Sequence, residues 1–337
     1  MIKVIARRLL GALPNLAGVI VVTFLLTRAL PGDPAAYFAG GAATQEAVAQ
    51  VRAQLGLDKP LVEQFFRYVA DLAHGELGTS LTTGQPVLQE LITRLPASIE
   101  MVLLALTLAC AIALPLGVAA ASRPGSWVDQ LCRIVTTAGV SLPTFFTGLL
   151  LAYVFYFLLG WAPAPLGRLD PMFSPPPQVT GLYLVDALLA GDLALWWASA
   201  KQIVLPTLTM AIFVLAPIAR MTRASMLAVL SADFVRTARA SGLTRSTVLV
   251  TSALRNALLP VVTTLGMVFG FMLGSSVIVE RVFGWPGAGS YAIDALTASD
   301  YAPVQGFVLA MGILFVLLNQ LVDVLYGLID PRVEVSA

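Results

Sequence analysis

Six long stretches without a charged residue constrain this chain more than any other feature. Nineteen uncharged residues separate Arg8 from Arg28, 22 separate Glu100 from Arg123, and 34 separate Arg133 from Arg168. A further 18 lie between Lys201 and Arg220, 24 between Arg255 and Glu280, and 22 between Asp300 and Asp323. An α-helix rises about 1.5 Å per residue, so roughly 20 apolar residues cross the hydrocarbon core of a bilayer. Each run is long enough for one crossing, and the longest is too short for two crossings and a turn. Only 12 % of the 337 residues are charged and 58 % are hydrophobic, whereas a soluble domain carries about 25 % charged residues. The expected fold class is an all-α membrane protein with six transmembrane helices, at residues 9–30, 97–121, 134–159, 203–222, 257–281 and 304–328. The basic residues 1–8 precede an apolar run, but it is longer than a signal-peptide core and lacks a small-x-small cleavage pattern, so it is expected to be an uncleaved first span.

Charge sign gives the sidedness. Residues 1–8, 122–133, 220–255 and 330–337 together hold 12 basic and 4 acidic residues, while the opposite side holds 8 basic and 14 acidic ones. The basic side is expected to face the cytoplasm, so both termini lie inside. Of the outer segments, 31–96 is long and carries Leu61, Phe65, Phe66, Val69 and Leu72 at helical spacing, which predicts a small folded cap. Segment 160–202 opens with Pro163, Pro165, Pro171 and Pro175–Pro177, which forbid helix. Segment 282–303 contains Trp285, Pro286 and Gly287, a composition that fits an interfacial anchor followed by a tight reversal. The inner tail is 329–337, and a permease core is expected over about 95–328.

Several chemistries are excluded. The lysines are Lys3, Lys59 and Lys201, and none follows a glycine-rich turn, so there is no phosphate-binding loop. The single histidine, His74, lies in the outer cap, which leaves no Ser-His pair inside the membrane. Cys110 and Cys132 lack metal or disulfide spacing and read as reduced thiols, and no metal site is expected. Net charge is +1, which gives no basis for nucleic-acid binding. An ion-coupled transporter keeps ionisable groups at mid-membrane; only Asp323 comes near this, in the inner half of the sixth span rather than at its centre, with Asn319 one turn earlier.

The inner segment 223–256, with Arg220 just before it, is the exception among short loops. Met226, Leu227, Leu230, Phe234 and Ala238 suit helix, Gly242 interrupts it, and Thr244 can cap a following helix toward Pro260. A basic helix–Gly–helix elbow on the cytoplasmic side is either a docking surface or a mere topology signal. The residues Asp233-Phe-Val-Arg-Thr-Ala-Arg-Ala-Ser-Gly-Leu-Thr244 and Ala253-Leu-Arg-Asn-Ala-Leu-Leu-Pro260 resemble the cytoplasmic motif of ABC importer permeases, in the version of the dipeptide, oligopeptide and nickel permease family. Further matches are Arg8-Leu-Leu, Leu30-Pro-Gly-Asp-Pro34, Thr222-Arg-Ala-Ser-Met226, Val279-Glu-Arg-Val-Phe-Gly-Trp-Pro-Gly287, Asp300-Tyr-Ala-Pro-Val-Gln-Gly306 and the stretch from Asp323 to Pro331.

The resemblance implies a subunit that pairs with a second permease subunit and two cytoplasmic ATPase subunits, and receives solute from an external binding protein. ATP and Mg would be used by the ATPases, with no cofactor bound by this chain. ATPase coupling would fall on Arg236, Thr237, Ala238, Arg239, Ser241, Gly242, Leu243 and Thr244. The acidic residue that opens the general importer motif is replaced here by Arg236, and Pro260 lies 18 residues after Gly242. The pathway candidates are Ser141, Pro143, Thr144, Asn319 and Asp323. Binding-protein docking or gating would involve Glu280, Trp285, Pro286, Gly287 and Asp300. The competing reading is a self-contained secondary transporter or channel. Relatives carry dipeptides, longer peptides, glutathione, nickel chelates and opine-like compounds, and the scarcity of Cys and His leans against free nickel.

Overall fold

The computed structural model describes residues 2–29, 33–40 and 43–329. Among them, regular structure is helical apart from one isolated bridge between Thr79 and Pro86. The expected inner tail beyond residue 329 lies outside the described residues.

Four of the six uncharged runs lie on single helices long and apolar enough to cross a membrane. These are α5 (Val87–Ser122), α9 (Leu193–Leu230), the continuous stretch Arg245–Val282, and α14 (Tyr301–Ile329). The first run lies on α1 (Ile2–Ala29), whose apolar part Leu13–Ala29 is shorter. The third run is not one straight helix: α6 (Trp127–Ser141) and α7 (Thr144–Leu151) are bent by 102°. Leu142 is extended at φ −108° and ψ 135°, and Pro143 follows it. The pyrrolidine ring disfavours the helical region for the residue before it, so the chain must leave the helix there and restart at Thr144. Yet Pro14, Pro206, Pro217 and Pro260 sit inside helices. In a helix packed among others, the freed carbonyl finds other partners, so proline need not break it.

The chain forms two compact units. The first comprises Met1–Ser98 and Pro286–Val316. It holds α1, α2 (Pro34–Ala39), α3 (Gln45–Gln54), α4 (Leu61–Ala73), the start of α5, α13 (Ala288–Thr297) and most of α14. The amphipathic pattern of the cap forms α4, on which Phe65, Val69 and Leu72 are half-buried while Leu61 and Phe66 remain exposed. Phe24 of α1 meets Phe65 edge-on at 5.2 Å and stacks on Tyr68 at 5.9 Å. A core of Val87, Leu91, Ala288 and Tyr291, with Leu77 and Phe307 against it, ties α13 to α5.

The second unit comprises Ile99–Trp285 and Leu317–Ala337. Here α9 is central, packing on α6, α7, α8 (Tyr183–Leu189) and α12 (Arg255–Val282). Small residues allow the close approaches. A Cβ on Gly117 of α5 would lie 2.6 Å from Thr222 Cβ, so only glycine lets α5 reach α9 at that point. Two π-helical stretches, Ala152–Leu158 and Val248–Leu254, extend α7 and precede α12. Nothing in the spacing of apolar residues signals either.

Candidate coupling elbow and outer gate

The segment between α9 and α12 builds a defined elbow. Helix α10 (Asp233–Ala240) ends in a paired hydrogen-bond closure: Leu243 N–H donates to Ala238 O at 3.4 Å and Gly242 N–H to Arg239 O at 3.1 Å. This closure needs a left-handed residue between the two donors' ends, and Gly242 supplies it at φ +79°. Thr244 then caps α11 (Arg245–Thr247), its Oγ1 accepting from Thr247 N–H at 3.3 Å. The turn is stiffened by Thr237 Oγ1 donating to Asp233 O and Ser241 Oγ donating to Thr237 O.

The exposed surface of the elbow is formed by Arg236, Thr237, Arg239, Ser241, Gly242, Leu243 and Thr244, with Ala238 half-buried. Val235 is fully buried and anchors α10. Arg236 stays exposed and pairs loosely with Asp233 at 3.4 Å. Beneath the elbow lies a core of Ala121, Met226, Ala253 and Ala257, closed by Leu227, Leu230, Leu249 and Leu254.

The helix ends next to the elbow are tied by charge. Asp129 on α6 is fully buried and accepts from Arg223 on α9, with Nη2 at 3.0 Å, and from Gly125 N–H at 2.9 Å. Arg245 donates to Ser122 O, the last residue of α5, at 3.0 Å. The opposite end of the second unit carries its own tie. Arg168 Nη2 bonds Glu100 Oε2 at 2.7 Å and Gly181 O at 2.8 Å, both side chains being almost wholly buried. The second Glu100 oxygen accepts from Leu184 N–H at 2.9 Å. The Arg168 guanidinium lies 3.5 Å from the Tyr183 ring centroid and 6.0 Å from that of Trp285.

These ties were not among the expected site residues, although the signal was present. Glu100 and Arg168 are two of the charges that bound the uncharged runs. A run-bounding charge that is buried needs a partner, and the nearest one is the charge that bounds another run on the same side.

The expected gate residues divide between the two units. Glu280 and Trp285 belong to the second and are buried. Trp285 is 1 % exposed, so it is packed inside the chain and does not stand on the surface as the expected interfacial anchor would. In the first unit, Pro286 is exposed and Gly287 is the residue before α13. The first helical N–H groups of α13 lack helical partners, and Ala288 N–H finds Ser98 Oγ at 3.0 Å. Asp300, fully buried, takes hydrogen bonds from Ser80 Oγ at 2.7 Å, Thr82 N–H at 3.1 Å and Thr82 Oγ1 at 3.2 Å. It thereby fastens the turn around Thr79–Pro86 to the start of α14. Replacing Asp300 with alanine orphans those donors, at a cost of ~1–3 kcal/mol. The expected result is faster proteolysis at residues 79–86 in spheroplasts, with the asparagine variant intermediate.

Asp186 organises the end of the Pro-rich segment in the same manner. It accepts from Thr180 Oγ1 at 2.6 Å, Thr180 N–H at 2.8 Å, Gly181 N–H at 2.9 Å and Val179 N–H at 3.3 Å. Burial pushes its carboxyl upward, but the bonds from Thr180, Gly181 and Val179 outweigh burial and hold it below the ordinary carboxylate value. A depressed folded-state value stabilises the fold above the unfolded value, about 3.9, and that contribution is lost as pH falls below it. Wild-type loop protection is therefore expected to weaken on acidification below about pH 4. Asp186→Asn should remove this dependence, as measured by proteolysis against pH.

Among the pathway candidates, Ser141, Pro143 and Thr144 stand at the α6–α7 break, where Ser141 Oγ bonds Thr137 O at 2.7 Å. Asn319 lies on α14, exposed, beside Gly266 of α12. The two sets are therefore on different helices. Asp323 is on α14, but its side chain lies outside the described residues. Cys110 and Cys132 are free thiols. Among the described residues, no group of three or more His, Cys, Asp or Glu side chains has a metal-binding arrangement.

Several helices long and apolar enough to cross a membrane define a multi-pass membrane protein. Family comparison agrees along the whole chain. Residues 113–335 match the binding-protein-dependent transport system inner membrane component family, and residues 1–102 match the N-terminal region of such membrane components. The chain belongs to that family, and is the inner-membrane permease subunit of a binding-protein-dependent ABC importer.

Over 331 residues it is 44 % identical to the probable D,D-dipeptide transport system permease protein DdpB of Escherichia coli (strain K12), covering 98 % of this chain and 97 % of that protein. It is 42 % identical to the di/tripeptide transport system permease protein DppB of Pseudomonas aeruginosa (strain UCBPP-PA14), with 99 % of each chain covered. To the glutathione transport system permease protein GsiC of Salmonella paratyphi A (strain ATCC 9150 / SARB42) the identity is 37 %, again over 99 % of each.

Proposed function

We propose that this chain forms half of the translocation path of an ATP-driven importer for dipeptides or short oligopeptides. It pairs with a second permease subunit and with two cytoplasmic ATPase subunits that hydrolyse ATP with Mg. The carrying observation is the exposed elbow at Gly242, set beside the ends of α5 and α9 and the approach to α12 in a chain of this family. Closure of the ATPase dimer on ATP pushes residues 236–244, and the spans rock between inward-open and outward-open packings as rigid bodies. The chain supplies no energy itself; it transmits a displacement. The dipeptide and di/tripeptide names of the relatives support the solute class.

The proposed topology keeps six spans, the third broken at Leu142–Pro143, with both termini inside. The charged ties support it. Glu100 begins the second run and Arg168 ends the third, so six alternating spans put them on one side, where they do pair. Asp129 and Arg223 likewise fall on one side and pair. The cap 31–96 and the turn 282–303 are proposed to receive the binding protein. Most of that turn belongs to the same compact unit as the cap, fastened through Asp300 and Ser98.

The test is co-purification followed by transport. The tagged chain, expressed with its partner subunits, should retain two ATPase chains and drive ATP-dependent uptake of labelled dipeptide supplied on the binding protein. Uptake by this chain alone along an ion gradient, with no ATPase retained, would establish the secondary-transporter reading instead. Glutathione and a nickel chelate serve as competing solutes, and preference for either would reassign the solute class. Deleting the cap should abolish solute-stimulated ATP hydrolysis without loss of ATPase assembly.

A further inference from the structure

Between the elbow and the helix ends beneath it lies a cleft of about 350 Å³. Its polar lining is Ser122, Arg239 and Arg245, and its apolar lining includes Leu230, Leu243 and Leu249. Among the described residues no carboxylate lines it. Arg245 spends one nitrogen on Ser122 O, the terminal carbonyl of α5. The Arg239 guanidinium makes no hydrogen bond or ion pair among the described residues, and the acid on its own helix, Asp233, pairs with Arg236. A half-apolar cleft holding two guanidinium groups fits an anion that also carries a hydrocarbon portion.

The position narrows the choice. Ser122 is both the last residue of α5 and the last of the uncharged run 101–122, so the cleft lies where a spanning helix leaves the hydrocarbon core. Headgroup phosphates lie at that depth, and basic pockets between helices on the cytoplasmic side take anionic headgroups. Leu243, which lines the cleft, is 47 % exposed, giving apolar surface beside the charges. A free phosphate would gain nothing from the leucines. We propose that this cleft binds the headgroup of an anionic phospholipid of the cytoplasmic leaflet, its phosphate held by Arg239 and Arg245. A bound headgroup fills the space behind α10 and limits how far the elbow can move. That consequence rests on the coupling role proposed above; the binding does not.

The experiment uses the transporter with its partner subunits, in phosphatidylcholine nanodiscs with and without phosphatidylglycerol, and counts retained lipid by native mass spectrometry. Wild type should keep phosphatidylglycerol in preference to phosphatidylcholine. Arg245→Gln should weaken that retention about fivefold, the value of one basic residue at a charged surface. Leu243→Trp, which fills the cleft and leaves every charge in place, should weaken it as well. Arg255→Gln, an exposed arginine outside the cleft, should not. Equal loss in Arg255→Gln would overturn the site in favour of a diffuse attraction to the basic segment. Displacement of the lipid by inorganic phosphate alone would overturn it in favour of a free-anion site, and absence of any phosphatidylglycerol preference would end it. Loss of lipid with unchanged coupling of ATP hydrolysis to uptake in Leu243→Trp would uphold the site and overturn its link to the elbow.

Discussion

Gly242→Val is expected to lower ATP-driven uptake about tenfold or more, while insertion into the membrane and assembly with the partner subunits persist. The residue sits at φ +79° with nothing within 4 Å of where a Cβ would be. The penalty is therefore conformational and not steric crowding by neighbours. A left-handed backbone costs an ordinary residue roughly 1–2 kcal/mol, and a β-branched one resists it further. To escape, the chain must give up the closing bonds from Leu243 N–H to Ala238 O and from Gly242 N–H to Arg239 O. The end of α10 then loses the shape proposed to seat in the ATPase. Asparagine tolerates the left-handed region, so Gly242→Asn should recover much of the uptake. Wild-type uptake in the valine variant, measured in proteoliposomes with ATP enclosed and the binding protein outside, would remove Gly242 from the coupling mechanism.

Arg168→Met is the second large effect, and it acts on the opposite end of the second unit. Glu100 is 5 % exposed and Arg168 7 % exposed. Deleting the arginine leaves a buried carboxylate with only Leu184 N–H among its described donors. Breaking a buried pair from one side typically costs ~3–5 kcal/mol, whereas replacing both partners with apolar groups is often neutral or stabilising. The single variant should therefore give little folded transporter, and the double variant Glu100→Met/Arg168→Met should regain most of it. Thermal stability of the detergent-solubilised complex checks both. A double variant no better than the worse single variant would mean that Arg168 acts through Gly181 O and the Tyr183 ring, not through Glu100.

Much of the local structure was legible because it is decided locally. The amphipathic stripe from Leu61 to Leu72 formed α4, the proline cluster from Pro163 to Pro177 stayed free of helix, and Gly242 followed by Thr244 closed one helix and opened the next. Each of these outcomes depends on residues within one or two turns. Prolines illustrate where this reasoning stops. Pro143 ended α6, while Pro206, Pro217 and Pro260 are accommodated within helices. The ring's local cost is the same at every site, so the surrounding packing determines which helix breaks.

What the sequence by itself determined is the membrane character of the chain, the placement of its apolar runs, the charge asymmetry between their ends, and the elbow at Gly242. These follow from hydrophobic length, charge and backbone conformation, which act over a few residues. The tertiary structure alone decided that the third run bends by 102°, and that Glu100 pairs with Arg168 and Asp129 with Arg223. It also turned Trp285 inward and opened a cleft under the elbow. The partners in these pairs lie 68 and 94 residues apart. Burial demands a partner for each charge, but only the packed helices bring the partner within reach.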